Sequence, residues 1–184
     1  MFDETITMID PNLDQVGTDR EAILPMVQDS IILAENKNNL LPLDPKRRLK
    51  IHVTGPTANS LPYQSGGWTG QWQGAPDESW FTYGSTVWDS LRIESAWDVT
   101  YSCGVDVLGK ECEDPDASHI DESIIDQVKH WAGLTPTTSM AMAVESANAA
   151  DVTIICVGEE AYAEKPGDIR SLELPKGQAD LVHA

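Results

Sequence analysis

Basic side chains are scarce in this chain. Lysine and arginine number 12 against 30 aspartates and glutamates, a formal net charge of -18 over 184 residues. Nucleic acids and anionic lipid surfaces are recognised through clustered lysine and arginine, so neither is expected as a partner. The one basic cluster, Lys46-Arg47-Arg48, precedes an apolar run and reads as the solvated lead-in to a strand. Long apolar runs are missing as well. Nothing approaches the roughly 20 residues of a membrane-spanning helix, and no membrane partner is expected. The opening residues Met1-Phe2-Asp3-Glu4-Thr5 are acidic and lack the basic region and apolar centre of a signal peptide. Cysteine occurs at three positions and histidine at four, His52, His119, His130 and His183. Their spacing suits no zinc site, so no metal and no other cofactor is expected.

What is present is enough for a core, since 41% of the residues are hydrophobic. At this length the chain is one full domain at most, or parts of two. Residues 1–17 contain Pro11 and Gly17 and read as a linker. Thr18-Asp19-Arg20-Glu21 matches a capping box and predicts a helix over residues 18–35, with Ile23, Val27, Ile31 and Ala34 on one stripe. Pro25 conflicts with a straight helix and predicts a kink or a late start. Asn36-Lys37-Asn38-Asn39 ends the pattern.

Residues 49–54 alternate in polarity and stop at Gly55-Pro56, which predicts a strand. Val87, Trp88 and Leu91 have helical spacing; residues 98–103 form a second strand, and 105–118 a long polar loop. Further helices are expected around Ile124, Val128 and Trp131 and around Val144 and Ala147. Residues 151–157 are nearly all apolar and β-branched and predict a third strand, at the buried centre of a parallel sheet. A last helix is expected within residues 174–184. Alternating strands and helices define an α/β fold with a mainly parallel sheet. Three strands look like half of such a sheet.

Each predicted strand ends in glycine, at Gly55, Gly104 and Gly158. Ligands of parallel α/β sheets bind beyond the carboxyl ends of the strands, so the loops that follow are the candidate site. After the first strand comes Ser65-Gly66-Gly67-Trp68-Thr69-Gly70-Gln71-Trp72-Gln73-Gly74. Its glycines argue against a core helix. Trp68 and Trp72 are therefore candidates for stacking on a sugar ring; the competing reading is a loop packed by its own indoles. Trp80, Trp88, Trp97 and Trp131 are set aside as packing residues. After the third strand come Glu159, Glu160, Tyr162, Glu164 and Asp168. Glu159 is expected to bond loop backbone. Glu164, further out and near Tyr162, is the candidate general acid, if apolar neighbours shield it. Cys156 reads as a buried thiol. Cys103 and Cys112 flank a short loop; a disulfide and two free thiols both remain open.

These elements together resemble glycoside hydrolase family 3, of the β-glucosidase and exo-β-glucanase type, in its C-terminal domain. The resemblance rests on Asp29-Ser30-Ile31-Ile32-Leu33-Ala34-Glu35-Asn36, Leu41-Pro42-Leu43, Val53-Thr54-Gly55-Pro56, Gly66-Gly67-Trp68-Thr69 and Trp72-Gln73-Gly74. It continues in Ala149-Ala150-Asp151-Val152, Val157-Gly158-Glu159, Tyr162-Ala163-Glu164, Gly167-Asp168 and Leu174-Pro175. It implies a three-layer αβα sandwich for residues 18–184, preceded in the intact enzyme by a barrel that carries an aspartate nucleophile. It implies retaining hydrolysis of a β-glucoside or β-glucan, with Glu164 as general acid/base and Trp68 and Trp72 walling the sugar. Nothing here matches the barrel, so residues 1–17 read as its end and linker, and the chain reads as a fragment inactive by itself. A secreted parent would favour the Cys103–Cys112 bridge. A sugar-binding α/β module without catalysis is the alternative. A nucleotide-binding domain is disfavoured, because no G-x-G-x-x-G or Walker loop follows a strand.

Overall fold

The strand Lys50–Thr54 (β1) is the axis of the fold, and its residues from Ile51 to Thr54 are all buried. The computed structural model describes residues 20–93, 96–112 and 139–184. The capping box at Thr18, the helix expected around Ile124, Val128 and Trp131, and residues 113–118 lie outside them. The described chain falls into two units, one within residues 1–44 and one of residues 45–184.

In the first unit a helix, Arg20–Ser30 (α1), runs through Pro25 without a late start. It stops before the expected Glu35. The Ser30 hydroxyl donates to the Val27 carbonyl at 2.7 Å, a local bond that competes with helix continuation. The predicted break follows as a turn at Lys37–Asn39. Asn38 and Asn39 adopt φ of 56° and 53°, a left-handed geometry that asparagine tolerates better than most residues. The Asn36 side chain spans this turn, donating to the Leu41 carbonyl at 2.8 Å and accepting its N–H at 3.0 Å.

In the second unit β1 pairs in parallel with Asp98–Ser102 (β2) on one side and Val152–Ile155 (β3) on the other. The order among the described strands is β2-β1-β3. This corrects one expectation: β3, the most apolar strand, is at the edge of this sheet and half-buried. The centre is β1, whose sequence alternates in polarity. It is buried on both faces because its polar side chains find partners. The fully buried His52 ring meets the Thr100 hydroxyl at 2.9 Å through Nδ1 and the Ser102 hydroxyl at 3.0 Å through Nε2. A buried polar group that is hydrogen-bonded costs little.

Helices cover both faces, as an α/β sandwich requires. Val87–Arg92 (α3) follows Leu61–Ser65 (α2) and starts with a capping box between Thr86 and Asp89. It stacks Trp88 on Tyr101 of β2, with ring centroids 5.4 Å apart. Pleat alternation puts Ile51, Val53 and Tyr101 on this face. On the other, Thr54, Thr153 and Ile155 lie under Ser139–Asn148 (α4) and Lys176–His183 (α5). There Val105, Ala143 and Leu181 form a buried cluster, with Met140 and Ile155 packed against it.

Val105 and Val107 also depart from the polar loop expected at 105–118, for both are buried. The segment folds back on itself through a bridge between Val105 and Glu111, and Asp106 accepts the N–H groups of Leu108 at 3.0 Å and Lys110 at 2.8 Å. Cys103 and Cys112, with Cα atoms 6.1 Å apart, form a disulfide across its base. Cys156 is free and half-buried rather than fully buried, and burial raises its thiol pKa. Among the described residues no helix is long and apolar enough to cross a membrane.

Two outcomes are expected. Burial lowers the pKa of His52 below its ordinary 6.5. A depressed folded-state pKa contributes stability that is complete above the unfolded value and is lost as pH falls from there toward the folded value. Urea midpoints followed by circular dichroism should therefore drop between pH 7 and pH 5, and His52→Asn should flatten that dependence. For the Cys103–Cys112 loop, with a sequence separation of 9, the chain-entropy treatment gives about 2–3 kcal/mol. Cys112→Ser should lower unfolding free energy by about that amount, and unreduced peptide maps of oxidised protein should show the two cysteines linked.

Candidate active site

The parallel sheet brings its strand ends to one edge. The Gly55 N–H donates to the Cys103 carbonyl at 3.1 Å, and the Thr57 N–H to the Cys156 carbonyl at 3.4 Å. From there the chain enters α2, capped by Ser60, which accepts the Tyr63 N–H at 3.3 Å. The loop after α2 closes with Trp68 N–H on the Trp72 carbonyl at 3.1 Å and Gly74 N–H on the Gln71 carbonyl at 3.0 Å. Trp68 sits at φ 62° and is 70% exposed, and Trp72 is 46% exposed. Both indoles present surface to solvent, Trp68 more than Trp72. Trp80, set aside from sequence as a packing residue, is 50% exposed, and its ring lies 3.0 Å from where a Cβ on Gly70 would be. A turn capped by Asp77, which accepts the Ser79 N–H at 2.9 Å, positions it.

The second loop follows β3, which ends at Ile155, and passes through Gly158. There the buried Gln178 of α5 accepts the Gly158 N–H at 3.0 Å and donates to the Gly158 carbonyl at 2.8 Å and the Val107 carbonyl at 2.6 Å. Glu159 departs from its expected role: its carboxylate accepts the Tyr162 hydroxyl rather than loop backbone. That bond, together with the negative charge, raises the Tyr162 pKa. The Tyr162 ring rests on Gly167. Glu164 is exposed, so the shielding expected from Tyr162 and the tryptophans is absent here. Its backbone lies at φ 52° and ψ −134°, a region that non-glycine residues occupy only under constraint. The Gly167 N–H donates to its carbonyl at 2.7 Å and closes the turn Lys165–Gly167.

The two loops touch. Gln73 donates through Nε2 to the Ala163 carbonyl at 3.0 Å and accepts the Ala163 N–H through Oε1 at 3.1 Å. The backbone at Gly67 runs so close to Tyr162 that a Cβ there would overlap the Tyr162 carbonyl. Gly74, at φ +88°, leaves 2.6 Å between a would-be Cβ and that of Ala161. The tryptophan loop and the Glu164 loop thus share one edge of the sheet. Gln73 and Gln178 escaped sequence reasoning. Each is one neutral side chain in a polar context, and its partner lies 90 or 20 residues away.

Ligands of parallel α/β sheets bind beyond the carboxyl ends of the strands, the edge on which these two loops lie. The profile of the glycosyl hydrolase family 3 C-terminal domain matches residues 31–184, and the chain belongs to that family. It is similar to the lysosomal beta glucosidase of Dictyostelium discoideum, with 33% identity over 173 residues, covering 92% of this chain and 18% of that protein. It is also similar to a beta-xylosidase of Formosa agariphila, with 32% identity over 119 residues, covering 60% of this chain and 16% of that protein. The chain spans less than a fifth of the length of these relatives.

The contact at Gly67 gives a direct test. Gly67→Ala should destabilise by about 1–3 kcal/mol, the usual cost of overpacking, measured by denaturant unfolding. At an unconstrained site the same change would stabilise slightly.

Proposed function

We propose that this chain is the αβα-sandwich part of a retaining β-glucosidase, with residues 18–184 forming that domain and residues 1–17 a linker from a barrel. Glu164 is the general acid/base, and Trp68 and Trp72 wall the glucosyl site. The observation that carries this reading is the Gln73–Ala163 pair, which joins the exposed indoles to the Glu164 loop. Flat indole surface stacks on the apolar face of a pyranose, and the carboxyl then lies on the loop beside it.

In such an enzyme a carboxylate from another domain attacks the anomeric carbon. Glu164 donates its proton to the departing glycosidic oxygen, which leaves a glycosyl-enzyme. The Glu164 carboxylate then takes a proton from water, whose oxygen attacks the same carbon and releases the sugar. Glu164 is exposed in this chain; in the intact enzyme the partner domain and the substrate cover it. The chain by itself is then inactive. A β-glucoside or β-glucan is preferred over a β-xyloside, because the beta glucosidase relative matches 92% of the chain and the beta-xylosidase relative 60%. The exposed tryptophans also suit a second reading, a carbohydrate-binding module without catalysis.

In the enzyme that carries this domain, Glu164→Gln should slow alkyl glucosides by about 10²–10⁴-fold, the usual size of general acid–base catalysis. Formation of the glycosyl-enzyme from a nitrophenyl glucoside should suffer less, since that leaving group needs little protonation. Azide should accelerate turnover and yield a β-glucosyl azide. Wild-type rates in this variant would remove the assignment. Sugar binding with no turnover in the unaltered protein would favour the module, and faster turnover of a nitrophenyl β-xyloside would change the substrate.

A further inference from the structure

We infer that Gln73 is a positioning residue for Glu164, setting the direction of its carboxyl from the tryptophan loop. This rests on the acid/base reading of Glu164 given above.

Two peptide planes flank Glu164. Its φ is the rotation between the Ala163–Glu164 peptide and its own Cα, and its ψ that between Cα and the next peptide. The first plane is held at its oxygen: the Ala163 carbonyl accepts from Gln73 Nε2 at 3.0 Å. The second is held the same way: the Glu164 carbonyl accepts the Gly167 N–H at 2.7 Å. With both planes held, φ and ψ are fixed at 52° and −134°, and so is the vector from Cα to Cβ. An L-residue leaves this region unless its surroundings enforce it. Of the two restraints, the Gly167 bond lies inside the loop's own turn. The Gln73 bond reaches it from outside, across 90 residues of sequence.

The geometry of Gln73 suits that task. Its amide presents a donor and an acceptor side by side and pairs with both backbone groups of Ala163, as a neighbouring strand would. Ala163 is buried, and Gln73 is half-buried between Trp72 and the buried Gly74. Any change that rotates this amide away breaks two bonds together and frees the plane in front of Glu164. Trp72 is the neighbour of Gln73 in sequence, so a sugar that shifts the Trp72 backbone acts on Glu164 through one side chain.

The test uses the full enzyme carrying this domain, with Gln73→Met, which keeps the volume and removes both bonds, beside Glu164→Gln and the double variant. Gln73→Met should lower kcat for an alkyl glucoside by about 10–10²-fold, the scale of a misplacement of about 1 Å. It should change kcat/KM for a dinitrophenyl glucoside much less, since that constant reports glycosyl-enzyme formation; hydrolysis of that glycosyl-enzyme should slow, and azide should restore part of this second loss. KM for the alkyl glucoside should stay near wild type, because the indoles are untouched. Added to Glu164→Gln, it should cost little more, since residues acting as a unit are non-additive. Equal losses of kcat/KM for both leaving groups, or full additivity in the double variant, would overturn the role of Gln73 and leave Glu164 in place. A wild-type Glu164→Gln enzyme would overturn both. If Gln73→Met fails to fold, amide exchange on the unaltered protein decides: the Ala163 N–H should be protected well beyond those of the exposed Glu164 and Lys165, and exchange at their rate would refute the inference.

Discussion

The whole arrangement depends on β1 being paired on both sides in parallel. That pairing sends all three described strands the same way, so their carboxyl ends, and the loops after Gly55, Gly104 and Gly158, meet along one edge. It also buries His52 and Thr54 in mid-sheet, where each needs a partner. The hydroxyls of Thr100 and Ser102 meet that need for His52. β1 is thus held to β2 by its side chains as well as by the ladder, and the register that aligns the strand ends is the register that satisfies the histidine.

Above that edge, order passes from backbone to side-chain amides. Gln178 holds the base of the Glu164 loop at Gly158, and Gln73 holds it again at Ala163. Between these anchors Tyr162 folds onto Gly167 and bonds Glu159. Among the described residues no strand or α-helix crosses this region, yet its backbone occupies a strained geometry at Glu164. Neutral amides suit the purpose: they satisfy a backbone donor and acceptor together and add no charge beside a carboxylate.

Much of the fold was legible because local chemistry and tertiary packing agree. β1 stops at Gly55, β2 and β3 end one and two residues short of Gly104 and Gly158, α3 forms at Val87, Trp88 and Leu91, and Asn38 and Asn39 turn the chain within the polar run 36–39. The order of strands was not legible. The apolar run of β3 looked more central than β1, because nothing in residues 49–54 announces that His52 has two hydroxyls waiting on β2. The site was visible as two loops, from glycine spacing and from residue types. Its mutual geometry was not, since the contacts of Gln73 depend on residues 90 positions away. Trp80 was missed for a related reason: whether an indole packs or faces solvent depends on what the neighbouring turn does with it.

The bonds of Gln178 have a bearing on the order in which the protein matures. This side chain belongs to α5, the last helix described, yet it reaches back 71 residues to Val107 and 20 to Gly158. During synthesis the Glu164 loop emerges before its anchor. Until α5 leaves the ribosome and docks, Gly158 has no partner for its N–H and the loop has no fixed base. A nascent chain can therefore form its sheet and carry Glu159, Glu160 and Glu164 while their loop still lacks its anchor on α5.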